Sequence, residues 1–177
     1  SFSTGTYLGE TDFGYFIGDG VFEYKSGSVY TGQWSDNHIH GLGTLNLPSE
    51  GTYKGDFIES QKSGQGIFTW DDGAVYNGEW KNDQMCGQGT YVSADNVTYI
   101  GTFQENKFYQ GTCEFTNDTG IYTAKYKNFV IDNFNVSSLD MYVSGNVTML
   151  HTLFGMDCSS IGVSPYKAQF LEIRTQN

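Results

Sequence analysis

Hydrophobic and polar positions alternate along most of the chain, and the alternation restarts at a fixed step. In Tyr30-Thr-Gly-Gln-Trp34, Tyr30, Gly32 and Trp34 alternate with Thr31 and Gln33. A period of two puts the aromatic residues on one face of a strand and the polar ones on the other. A polar segment from Ser35 to His40 follows, and its Asp-Asn pair suits a turn. Gly41-Leu-Gly43-Thr-Leu45-Asn-Leu47 then alternates again. A second turn closes the unit, as in Asp71-Asp72-Gly73, where Asp-Gly signals a hairpin. The pattern predicts one β-hairpin per unit, with successive hairpins continuing as one antiparallel meander.

Tyr7, Tyr30, Tyr53, Tyr76, Tyr99 and Tyr122 lie 23 residues apart, and Gly18/Gly20, Gly41/Gly43, Gly64/Gly66 and Gly87/Gly89 keep the same step. A fixed short period marks a repeat architecture, in which each unit touches mainly its neighbours. Glycine within a strand weakens it, so these glycines need a packing reason. The expectation is that Gly32, Gly41 and Gly43 leave flat backbone for a neighbouring repeat's Tyr or Trp. The fold class is therefore all-β: an elongated, single-layer, twisted antiparallel sheet of 23-residue hairpins. The array covers about residues 5–126, a degenerate capping repeat 127–150, and a tail 151–177.

The pattern decays toward the C-terminus. Gln110-Gly111-Thr112 has slipped by one place, Ala124 stands where glycine belongs, and Asn133 and Asn135 fall on the next glycine sites. A last irregular strand pair is expected over 139–150. Ser164-Pro165 reads as a helix start, and Tyr166, Phe170 and Ile173 share one helical face, so a short helix is expected from Pro165 to about Arg174.

Charge narrows the choice of partner. The net charge is −11, from 20 acidic against 9 basic residues, and Arg174 is the only arginine. Such a chain builds no basic stripe for nucleic acid and no Lys/Arg cluster for anionic lipid. No apolar run reaches the roughly 20 residues of a transmembrane helix. The chain starts without Met or a signal peptide, so a fragment or processed form is expected. Cys86, Cys113 and Cys158 are odd in number and far apart, which suits thiols in a reducing compartment. The sequons at Asn96, Asn117, Asn135 and Asn146 are of the number chance supplies in a chain this rich in Asn, Ser and Thr.

Candidate chemistry adds little. His38 and His40, placed in one inter-strand turn, would need further ligands to hold a metal. Asp71-Asp72 lacks the alternating oxygen ligands of a calcium loop. The Gly-x-Gly pairs precede no helix and no Gly-Lys-Ser/Thr, so they are not phosphate cradles. No nucleophile, base and orienting group come together, and neither an enzyme nor a cofactor is expected. The aromatic residues Tyr30, Trp34, Tyr53, Phe57, Tyr76, Trp80, Tyr99 and Phe103 form the spine of the array. If that strip stays partly open, they also line a groove for a peptide or helix.

Tyr-x-Gly-x-Trp/Phe, a polar turn, Gly-x-Gly and an alternation closed by Asp-Gly resembles the MORN repeat. The clearest copies are Tyr30–Leu47, Tyr53–Trp70 and Tyr76–Tyr91, with partial ones at Tyr7–Tyr24 and Tyr99–Phe115. The resemblance implies a non-enzymatic scaffold that binds a protein along a concave face, in a cytoskeletal, ciliary or flagellar axonemal setting. Acidic rim residues such as Asp56, Glu79 and Asp83 would favour a basic or helical partner segment. Two alternatives follow from the same resemblance: a phosphoinositide-binding membrane module, which the acidic balance opposes, and the regulatory repeat domain of a larger enzyme. Open strand edges also allow end-to-end pairing of copies.

Overall fold

The structure, a computed structural model, describes residues 4–117, 120–128 and 130–137. These form twelve strands and no helix: β1 (Gly5–Asp12), β2 (Tyr15–Tyr24), β3 (Val29–Ser35), β4 (His38–Leu47), β5 (Gly51–Ile58), β6 (Gln61–Trp70), β7 (Val75–Lys81), β8 (Gln84–Val92), β9 (Thr98–Gln104), β10 (Lys107–Asn117), β11 (Gly120–Lys127) and β12 (Val130–Ser137). The chain divides into two units, Ser1–Met85 and Cys86–Asn177. Within each, the strands lie side by side in chain order, as an antiparallel meander. The expected strand pair over 139–150 and helix over 165–174 lie outside the described residues.

In the first unit the hairpin turns recur at one step. Phe13-Gly14, Asp36-Asn37, Glu59-Ser60 and Asn82-Asp83 all have positive φ at both residues. Two central residues with positive φ make a type I′ turn, whose twist matches that of paired strands. In the last three of these turns the second residue also reaches back one repeat. The Phe16 amide donates to Asn37 Oδ1 at 2.8 Å, the Ile39 amide to Ser60 Oγ at 3.1 Å, and the Lys62 amide to Asp83 Oδ1 at 2.8 Å. The Asn37, Ser60 and Asp83 amides return the bond to the carbonyls of the same three residues. Each of these three turns is thus fastened to the strand start of the preceding unit. Asp72-Gly73, by contrast, lies in a longer connection, where the Gly73 amide donates to the Trp70 carbonyl at 3.0 Å.

The glycines occupy one cross-strand row: Gly9, Gly20, Gly32, Gly43, Gly55, Gly66 and Gly78, one per strand from β1 to β7. The ring that lies on this row is not a neighbour's. A Cβ on Gly43 would overlap the ring and hydroxyl of Tyr30, the tyrosine of the same hairpin. With the ring flat on that backbone, the Tyr30 hydroxyl donates to the Gln33 carbonyl at 2.9 Å, and Tyr53 and Tyr76 do the same to Asp56 and Glu79. Gly41 has a separate reason. Its φ is +78° and the Gln33 side chain sits where a Cβ would go, accepting the Leu42 amide at 2.9 Å. The two glycines of Gly-x-Gly thus serve two different contacts.

Repeats are coupled by the Trp/Phe position. Trp34 stands edge-on to Tyr7 and to Tyr30, each at 5.3 Å. Phe57 does the same between Tyr30 and Tyr53, and Trp80 between Tyr53 and Tyr76. Edge-to-face pairs at this spacing add about 0.5–1.5 kcal/mol beyond the area they bury. The Trp34 and Trp80 indole N–H groups also donate to the carbonyls of Gly20 and Gly66.

The second unit absorbs the irregular sequence at its bulges. Between β3 and β4, Trp34 pairs with Ile39 and Gly32 with Gly43, so three residues of β4 lie opposite Gln33. Between β9 and β10, Phe103 pairs with Phe108 and Gly101 with Gly111, so only two lie opposite Thr102. The shorter bulge moves Gly111 into the glycine row and Cys113 opposite Tyr99, where it is buried. Ala124 then pairs with Cys113 rather than with a glycine, and both are buried. The register of β12 corrects the reading of its asparagines. Phe134 pairs with Ala124, while Asn133 and Asn135 pair with Lys125 and Thr123, so neither asparagine takes the glycine place.

Candidate functional site

Alternation along each strand decides which side chains meet on the inner face. Tyr30, Tyr53, Tyr76 and Phe103 are fully buried, and Tyr99, Phe57, Trp80 and Trp34 are 2%, 2%, 5% and 7% exposed. The expectation of a partly open strip does not hold for these eight rings, because the glycine row lets each tyrosine lie flat and the next Trp or Phe close over it. In the chain by itself they offer almost no surface. A partner on this face would meet the residues around them.

Those residues form a second row. Tyr24, Leu47 and Trp70 lie 23 residues apart and are half-buried. Each stands two residues beyond Phe22, Leu45 or Phe68, of which Phe22 and Phe68 are buried, and so shares its face. Tyr24 leans on Phe22 and Trp70 on Phe68, both with ring centroids 4.6 Å apart. Gly51 pairs with both Leu47 and Trp70, so flat backbone separates those two side chains, and Gly5 pairs with Tyr24 on its outer side. The result is an apolar stripe with a gap at Gly51. Its sequence signal was the same 23-residue step, one alternation further along the strand.

Lys62 is the cation of this face. Its Nζ lies 4.9, 5.2 and 5.8 Å from the ring centroids of Trp80, Phe68 and Tyr53. Burial among these rings holds the ammonium below the ordinary lysine range, although Asp83 and Glu50 pull it the other way. Burial also pushes the Tyr30 phenol up to about 12 and raises Tyr53 and Tyr24. Two of the expected rim carboxylates have internal roles. Asp56 Oδ2 accepts the Gln65 amide at 3.0 Å, and Asp83 accepts the Lys62 amide.

The remaining sequence candidates separate. His38 and His40 belong to strand β4, not to a turn, and His38 Nδ1 lies 2.8 Å from the Asp36 carbonyl. Among the described residues, no three His, Cys, Asp or Glu side chains are placed to hold a metal ion. His151, Cys158 and the Asn146 sequon lie outside the described residues. The opposite face carries exposed apolar residues, among them Leu42, Ile58 and Ile67.

A family model described as the MORN repeat matches residues 30–52, 53–75 and 76–98 in tandem. Residues 30–98 of this chain are MORN repeats. Its three matched units begin at Tyr30, Tyr53 and Tyr76, and the Tyr30 and Tyr53 rings cover the glycine row. Among curated proteins, none matches the chain. MORN repeats are modules that bind proteins or membranes. In this one the recurring Tyr, Gly and Trp/Phe residues build the interior, and the variable positions Tyr24, Leu47 and Trp70 form its half-open surface.

Proposed function

We propose that this MORN-repeat chain is a non-enzymatic protein-binding module and that its partner lies along the Tyr24–Leu47–Trp70 stripe. The observation that carries the reading is the stripe itself: apolar, partly exposed and repeated in register with the array. Aromatic residues in such positions anchor interfaces because they bury large area with few torsions to freeze. A net charge of −11 steers a basic segment toward the surface and repels anionic lipid. A cytoskeletal, ciliary location is part of the same proposal and rests on analogy with the MORN family alone. The test is affinity capture with quantitative mass spectrometry, comparing the wild type with Tyr24→Ser/Leu47→Ser/Trp70→Ser. The variant is expected to keep its β-sheet circular dichroism and lose a defined set of partners. Unchanged recovery from the folded variant would refute the stripe. Flotation with phosphoinositide liposomes is expected to show no binding.

A further inference from the structure

Lys62 stands where the repeat requires an apolar side chain. One or more units away, the same position holds Phe16, Ile39, Met85 and Phe108, and Ile39, Met85 and Phe108 are 4%, 3% and 0% exposed. Lys62 is itself half-buried, two residues after the Glu59-Ser60 turn. Its ammonium faces rings contributed by three strands, Tyr53 from β5, Phe68 from β6 and Trp80 from β7, all within cation–π range. Nζ makes no hydrogen bond or ion pair to any described residue. An ammonium has three N–H donors that are costly to remove from water without acceptors. A box of aromatic faces supplies charge stabilisation but no acceptor, which is the environment suited to methylated ammonium groups.

We propose that Lys62 is a site of Nε-methylation and that Tyr53, Phe68 and Trp80 hold the methylated side chain within the same chain. Methylation keeps the positive charge and replaces N–H groups that face rings with methyl groups that pack on them. The chemistry requires a methyltransferase and a sulfonium methyl donor. The neutral Nζ lone pair attacks the donor's methyl carbon, the N–C bond forms as the C–S bond breaks, and the donor leaves as a thioether. The nitrogen gains the charge the sulfur loses, and a proton passes to water before each further round. The depressed lysine range favours this step by enlarging the neutral fraction. The long, flexible lysine stem beside a hairpin turn lets the amine swing out to a transferase and return.

Two measurements decide the proposal. Mass spectrometry of the protein from its source cells is expected to find the Lys62 peptide heavier by one to three methyl groups. An unmodified Lys62 throughout would overturn the assignment. The fit of the box is read separately, by installing a trimethylammonium or a plain ammonium analogue on Lys62→Cys in a background without other cysteines. The trimethyl form is expected to melt about 3 °C higher than the ammonium form, with Trp emission shifted to the blue. A lower Tm and red-shifted emission would show that the box rejects the methylated side chain.

Discussion

Gly43 shows at a single residue how the sheet makes its interior without a second layer. A methyl there would occupy the space of the Tyr30 ring, and neither partner can yield because the ring is buried and its hydroxyl is bonded. Gly43→Ala is therefore expected to cost about 3 kcal/mol, at the upper end of overpacking penalties. Gly73→Ala is the contrast. Its φ is +94° with open space around the Cβ, so only backbone strain of about 1–2 kcal/mol is expected. Urea denaturation of both variants checks the difference, and equal losses would mean that the ring contact contributes nothing. Alkaline pH probes the same residues. Tyr30 titrates at about 12 when folded, and Tyr53 is raised in the same direction, against an unfolded value of about 10. A raised folded value gives stability that is complete below the unfolded value and lost as pH climbs through the folded one. Thermal melts are thus expected to hold up to about pH 10 and to fall between there and pH 12. Lys62 works in the opposite sense and is a single group against four raised tyrosines, Tyr7 and Tyr24 among them.

At the scale of the element, the hairpin turn is the joint of the array. Asp83 adopts φ 65° and its carboxylate accepts the amide of Lys62 one unit earlier. Asp83→Gly keeps the backbone preference and loses the acceptor, whereas Asp83→Ala loses both. The expected costs are about 1 and about 2 kcal/mol, read by chemical denaturation. The alternation in Tyr30–Trp34 and Gly41–Leu47 made the hairpins and their period legible before any coordinates. Three features were not legible. Which tyrosine lies on which glycine depends on the three-against-one bulge between β3 and β4, and bulges leave no mark in the alternation. The one-place slip at Gly111 could not be read as a shorter bulge without the partner strand. The burial of Trp34 and Trp80 follows from how neighbouring hairpins close over each other, so strand pattern alone could not distinguish core rings from a groove.

For the molecule as a whole, interior and surface share one period, and the division between them carries the functional reading. Positions filled by Tyr, Gly and Trp/Phe repeat because each unit must pack on the next. Tyr24, Leu47 and Trp70 repeat on the same face but differ in chemistry from unit to unit, as a surface matched to one partner would. Trp34→Ala and Trp80→Ala test stability, with an expected loss of about 3–5 kcal/mol each in denaturation experiments, because these rings link adjacent tyrosines. Only the stripe separates binding from folding. The most direct measurement places a photo-crosslinking amino acid singly at Tyr24, Leu47 or Trp70, and at Glu23, Asn46 or Thr69, their immediate neighbours on the opposite face. Irradiation in the source cells is expected to join the stripe positions, and not their neighbours, to the same protein. Crosslinks from Glu23, Asn46 and Thr69 with none from the stripe would place the partner on the other face and contradict the assignment.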